Sequence, residues 1–258
     1  MSLDLAIVRF GLGTHPMTEA PTGNRDLCIM EAVAFVAGEP WGTRPVCASP
    51  VLAGFLRPWH DALPDEARDR LLPASVWVPR LLGSRGTPEV EERRSWLSAD
   101  WLVRVQNAAW MELTPALRPH AEALRGLPEI TAKTLPLARA TIVAANIAAR
   151  EAAGDPWPRP KDTKEDSARV AAWYAARYAA RDAALLATRV SATLAVGVTM
   201  RDAARDAATH AAMIYTGEVL RPTVEVLQQS ALDLLDRMLK CGDELAPLLP
   251  FPATRGES

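Results

Sequence analysis

Residues 27–50 read LCIMEAVAFVAGEPWGTRPVCASP, and the change of character at Gly38 decides how the chain must fold. The first half predicts a helix from Leu27 to Gly38. Leu27, Met30, Ala34 and Ala37 fall on one face, and Cys28, Glu31 and Phe35 on another. A glycine just past the last periodic residue is a common helix stop. The second half cannot continue that helix, because Pro40, Pro45 and Pro50 stiffen it into a tight corner, with Trp41 available to plug the corner against a core. Helix, proline-bounded corner, helix is a pattern that repeats as far as residue 85. The expected fold class is therefore mainly α.

Working outward, PVLAGFLRPWHDAL (50–63) predicts a helix bent or ended near Pro58. PDEARDRLL (64–72) predicts another, with Pro64 and Asp65 suited to its first turn, and SVWVPRLLG (75–83) a fourth short piece. Before them, Leu3 to Phe10 reads as a short strand or extended segment, followed by a loop rich in Gly, Pro and Thr. From residue 87 the elements lengthen. Thr87 is a fitting N-cap, Pro88 occupies the first helical position, and Glu89 and Glu91 lie near the positive end of the dipole. Val90, Leu97, Trp101 and Val105 share one face of that helix, Pro115 and Pro119 then interrupt the chain, and a further helix is expected over Leu135 to Ala152.

Residues 1–153 thus read as a compact helical N-terminal part. Gly154, Pro156, Pro158 and Pro160 make residues 154–162 a proline-rich linker. Residues 163–258 read as an alanine-rich bundle of long antiparallel helices. Asp162 and Glu165 resemble a capping box, and a beat of Arg, Asp and Ala then repeats through YAARYAARDAAL and RDAARDAATHAAM. The last helix carries a coiled-coil-like seam, Val224, Leu227, Ala231, Leu234 and Met238, and is expected to end at Lys240-Cys241-Gly242. Packing on the alanine-rich helices of the same chain is one use of the seam; a homo-oligomer through residues 223–240 is the other.

The chain has 258 residues, a formal charge of -2 and 23% charged residues, with arginines interleaved among acids. That distribution disfavours nucleic acid as a partner. The stretch between Arg189 and Arg201 is too short to span a bilayer, which needs about 20 apolar residues, and Asp4 and Arg9 break up the N-terminal apolar run, so neither a membrane span nor a signal peptide is expected. Three cysteines, an odd and low count, point to a reducing compartment and a cytoplasmic protein.

Chemistry, if there is any, concentrates in the 28–47 corner. A cysteine in the first turn of a helix meets unpaired N–H groups and the dipole, which favour a thiolate. Cys28 is thus a candidate nucleophile, with His60 or His15 as base, Asp61 or Glu39 as orienter, and Glu31 beside it on the helix face. The same cysteine serves equally well as a small core residue. Cys28, Cys47, His60 and His15 offer a sulfur and nitrogen set that suits zinc chemically, but their spacing matches no zinc motif. No phosphate-binding loop, dinucleotide fingerprint, nucleophile elbow or zinc-protease motif occurs, so no cofactor is expected. As a binding site, Cys28, Glu31, Glu39, Trp41, Arg44 and Cys47 form the candidate set: Glu31 and Arg44 to pair or grip a polar ligand, Trp41 to stack on it.

The segment from Cys28 through Glu39-Pro40-Trp41 to Pro45, Cys47 and Pro50-Val51-Leu52 resembles a group of alanine-rich helical proteins of actinobacteria, other bacteria and their phages. The similarity extends through DALPD, VPRLLGSRGTPEVEERR, ADWLVRV, LPEIT and PTVEVLQQSALDLLDRML, in that order. Members of the group carry Asp-His-Pro and a further cysteine where this chain has Thr43-Arg44-Pro45 and Ser49, which weakens a metal reading. The resemblance brings no activity with it. The expectation is a cytosolic, non-enzymatic binding or interaction protein, an assembly or regulatory factor whose partner is a small molecule or a protein. The alternative is a cysteine-dependent enzyme using Cys28 and His60.

Overall fold

A computed structural model of the chain describes residues 3–17, 21–153 and 220–245. The linker and the alanine-rich helices expected over residues 154–219 lie outside them. Among the described residues the chain is helical and forms no strand. The extended segment before Phe10 makes a single parallel bridge, Arg9 to Asn24, and buries Val8 and Phe10 on alternate positions.

The expected first helix is α1, Ile29–Ala37, and Gly38 ends it in the left-handed region at φ 68°. Helix α2, Pro50–Ala62, is capped by Ser49, whose Oγ accepts from the Leu52 N–H at 3.1 Å. This helix neither ends nor breaks at Pro58. An interior proline costs about 3 kcal/mol, and here a fully buried face of Leu52, Phe55, Leu56 and Trp59 outweighs it. Helix α3, Asp65–Leu71, and α4, Ala74–Leu81, complete the proline-punctuated region.

Helix α5, Pro88–Trp101, starts as the sequence implies, with the Thr87 hydroxyl accepting from Val90 N–H at 3.4 Å. It then widens into a π-helical segment, Leu102–Asn107, before α6, Ala108–Glu112. The wider turn rotates the register. Val90, Leu97 and Trp101 are buried as expected, but Val105 is 36% exposed, and Leu102, Val103, Gln106 and Asn107 face inward instead. Pro119 opens a helix rather than breaking one: it lies in the first turn of α7, Arg118–Arg125. Helix α8 covers Leu135–Ala153.

The last helix, α9, covers Arg221–Leu245 and so runs past Gly242, where the sequence suggested a stop. Its seam residues Leu227, Ala231, Leu234 and Met238 are buried, joined by Leu235, in one core with α1, α2 and α5. Among the described residues the main neighbour of α9 is α5. Two buried arginines tie the core together. Arg94 donates to the carbonyls of Met238 and Ser84 and to Glu91, which also accepts from the hydroxyl of Ser49 at 2.6 Å. Arg68 donates to the carbonyls of Phe10, His60 and Leu63 and pairs with Asp65. No helix among the described residues is long and apolar enough to cross a membrane.

Candidate functional site

The 28–47 corner is built from its own hydrogen bonds. Cys28 is the N-cap of α1 rather than a residue of its first turn. Its N–H donates to Glu31 Oε2 at 2.7 Å, the return half of a capping box. Glu31 is 1% exposed and also accepts from His15, through the backbone N–H at 2.9 Å and Nδ1 at 2.8 Å. Burial pushes the Glu31 carboxyl up, but the N–H groups of Cys28 and His15 outweigh it and hold the carboxyl below its usual range.

The expected pairing of Glu31 with Arg44 is therefore not made. The carboxylate is saturated by Cys28 and His15, while Arg44 stands exposed. Glu39 turns back on its own loop, accepting from Val46 N–H and from Cys47 N–H, the latter at 2.7 Å. Trp41 packs against the core and donates Nε1–H to the carbonyl of His15 at 2.9 Å, so its ring holds the 11–17 loop in place. Cys47 is half-buried, and burial together with Glu39 raises its thiol. Five of the six corner residues, all but Arg44, thus do structural work on one another or on the loop beside them.

Cys28 leads elsewhere. It borders a cleft of about 40 Å³ between the 11–15 loop, α1 and α2. Gly13 and Thr14 line it from the loop, Cys28 and Ile29 from α1, and Arg57, His60 and Asp61 from α2. The structure therefore brings Cys28, His60 and Asp61 to one place across 33 residues of chain. Asp61 Oδ1 accepts from His60 Nδ1 at 2.9 Å and from the Gly13 N–H at 3.1 Å, which fixes the imidazole with its Nδ1 proton toward the carboxylate. Burial opposes ionisation of Asp61, but these two donors prevail and lower its carboxyl.

His60 is 1% exposed, and its Nε2 has no hydrogen-bond partner among the described residues. Burial depresses the imidazole below its ordinary value against the pull of Asp61, so the ring is neutral near pH 7 and Nε2 carries a lone pair. The ring meets Phe10 edge-on at 5.6 Å, and Arg68 grips the His60 carbonyl from behind.

The thiol of Cys28 is not the activated one that its place at a helix start suggested. Burial, with the charge of Glu31 beside it, pushes the thiol up to about 12 and overrides the helix dipole. Nor do the four residues considered for zinc converge, since Cys47 stays with Glu39 in the corner and His15 is bound to Glu31. Among the described residues no three His, Cys, Asp or Glu side chains are arranged to hold a metal ion.

Arg57, Thr14 and Asp61 complete the cleft. Only Asp61 stood out in the sequence, as the immediate neighbour of His60; Arg57, one turn before His60 on α2, carried the same signal of helical spacing. No family model, no curated protein and no solved structure matches the chain.

Proposed function

We propose that the chain is a cytosolic binding protein that takes the end of a small molecule into the cleft between the 11–15 loop, α1 and α2. One observation carries the reading. His60 lines the cleft, is fixed by Asp61 through Nδ1, and keeps its Nε2 buried without a partner among the described residues. A buried acceptor left unsatisfied costs about 1–3 kcal/mol, and a ligand bearing an N–H or O–H relieves that cost. The site so placed lies beside the 28–47 corner and shares Cys28 with it. No disulfide joins the three cysteines, which fits a reducing compartment. Kinship with the actinobacterial and phage group belongs to the same proposal. The segment that carries the resemblance supplies one wall of the cleft through Cys28 and pins the opposite loop through Trp41. Neither nucleic acid nor a membrane has a role in this reading.

Native mass spectrometry of the freshly purified chain tests it. The expected result is a mass above 28.0 kDa that falls on denaturation and is absent from His60→Gln. A bare chain in both samples counts against the reading.

A second reading is favoured by the presence of Cys28 in the same cleft as the His60–Asp61 pair. In a cysteine-dependent acyl transfer, His60 Nε2 takes the Cys28 proton as sulfur bonds to the carbonyl carbon. The tetrahedral adduct then expels its amine or alkoxide, which takes the proton back from His60, and water hydrolyses the thioester. This reading demands that Cys28 react with acylating or alkylating reagents faster than an unperturbed thiol, and that His60→Ala abolish the advantage.

A further inference from the structure

We infer that the group the cleft receives is an uncharged carboxamide, its carbonyl oxygen on the guanidinium of Arg57 and its N–H on Nε2 of His60. The inference rests on the binding reading and gives the ligand a chemical class.

Arg57 is half-buried on the cleft wall, donates no hydrogen bond and forms no ion pair among the described residues. Its neighbour Arg68 is the contrast, with Nε and both terminal nitrogens engaged. Arg57 and His60 are three residues apart on α2, so they share a face. One wall of a small cleft thus carries a surplus donor, and the lining residue one helical turn away holds a buried surplus acceptor. A ligand that satisfies both presents an oxygen to the first and an N–H to the second.

Charge narrows the choice. The groups facing His60 are Asp61 and Arg57 on its own helix, Arg68 from α3, His15 from the loop, and Cys28 with Glu31 behind it from α1. Arg57 lies within the field of Asp61, and Arg68 is matched by Asp65. The cleft therefore carries a charge of each sign, Arg57 and Asp61, and a ligand charged either way meets one of them unfavourably. A carboxylate brings a second negative charge toward Asp61 and has no proton for Nε2. An ammonium meets the charge of Arg57. An amide meets neither objection. Size agrees: a single water needs roughly 10–15 Å³ of such space, so the cleft of about 40 Å³ holds a group of a few heavy atoms, with Cys28 and Ile29 among its lining residues.

Acetamide and acetate share a shape and differ in charge, which makes them the probes. Each is titrated into the full-length, ¹⁵N-labelled chain at neutral pH while the ring nitrogens of His60 are followed by NMR. Acetamide is expected to move the Nε2 resonance saturably and to bind at least about tenfold more tightly than acetate. Arg57→Gln, which removes no hydrogen bond from the folded chain, is expected to weaken acetamide about tenfold and leave the rest of the spectrum in place. Tighter binding of acetate, or indifference to Arg57→Gln, overturns the amide assignment and leaves the binding site standing. No response of His60 to either probe also overturns the assignment, and the mass of the co-purified ligand then judges the binding reading separately.

Discussion

Arg94 donates its Nε–H to the carbonyl of Met238 at 2.9 Å, across 144 residues of chain. The same guanidinium reaches the carbonyl of Ser84 at 2.7 Å and Glu91 Oε1 at 2.8 Å. Because Glu91 also takes the hydroxyl of the α2 cap, Ser49, one buried cation joins α2, the turn before α5, α5 itself and α9. Its side chain is 2% exposed, so no water replaces a lost partner.

Arg94→Met should therefore destabilise the chain by about 3–5 kcal/mol, the usual cost of leaving the other half of a buried ion pair unmatched. Arg94→Lys should recover part of it, since an ammonium reaches fewer of the three acceptors. Urea unfolding followed by circular dichroism reads both. A wild-type midpoint for Arg94→Met would show that α9 is held by its seam alone.

Glu31 makes the acid stability of the N-terminal part predictable. Its folded-state pKa lies below the unfolded value, so the stability it contributes is complete above about pH 4.3 and is lost as pH falls through the folded value. Glu31→Gln should cost about 1–3 kcal/mol at neutral pH, because an amide turns its NH₂ toward the N–H of Cys28 or of His15. The variant should also show a shallower loss of stability below about pH 5 than the wild type. Asp26, Asp61 and Asp65 are lowered as well, so some acid sensitivity remains. Parallel acid-titration curves for wild type and variant would rule Glu31 out as the source.

How far the sequence carried follows from which forces are local. Gly38, Thr87 and the 224–238 seam act within a few residues, and each element they imply is present. That α2 does not end at Pro58, and that Val105 turns outward at Leu102–Asn107, are decided by tertiary packing: a fully buried face tolerates an interior proline, and the wider π-helical turn rotates the register. The corner was read as a grip because Glu31, Glu39, Trp41 and Arg44 are the residue types of a grip. Only three-dimensional proximity shows that His15, Cys47 and Val46 already occupy the first three. Cys28, His60 and Asp61 were legible as a constellation because each has chemistry of its own. Arg57 was one arginine among many until its lack of a partner among the described residues became visible.

The 11–15 loop gives a sharp contrast between two neighbouring glycines. A Cβ on Gly11 would lie 2.2 Å from the Arg25 carbonyl oxygen and 2.5 Å from His15 Nε2, so the loop must shift. A Cβ on Gly13 meets nothing, although φ is 76°. Gly11→Ala should cost about 1–3 kcal/mol by overpacking and move the His60 ring resonances, since the loop is one wall of the cleft. Gly13→Ala should cost about 1 kcal/mol, for the left-handed backbone alone. Equal costs would show that the Gly11 contact is relieved without moving His15.

Thiol reactivity separates the two functional readings most directly. Cys28 is 3% exposed and its thiol is pushed up to about 12, so near pH 8 only about one molecule in ten thousand carries the thiolate. Cys241 is buried at 6% exposure, whereas Cys47 is half-buried at the surface corner. The expected order with a small disulfide reagent is Cys47 first, at a rate below that of a free thiol, with Cys28 and Cys241 modified only as the chain opens. Peptide mapping after timed quenching assigns each site, and Cys47→Ser should leave a folded chain that consumes almost no reagent. If Cys28 instead reacts first, and His60→Ala slows it while Cys47 keeps its rate, the imidazole is removing the thiol proton within the cleft. The acyl-transfer reading would then displace the binding one, because a neutral His60 with a free Nε2 would be acting as the base that a thiol so strongly raised requires.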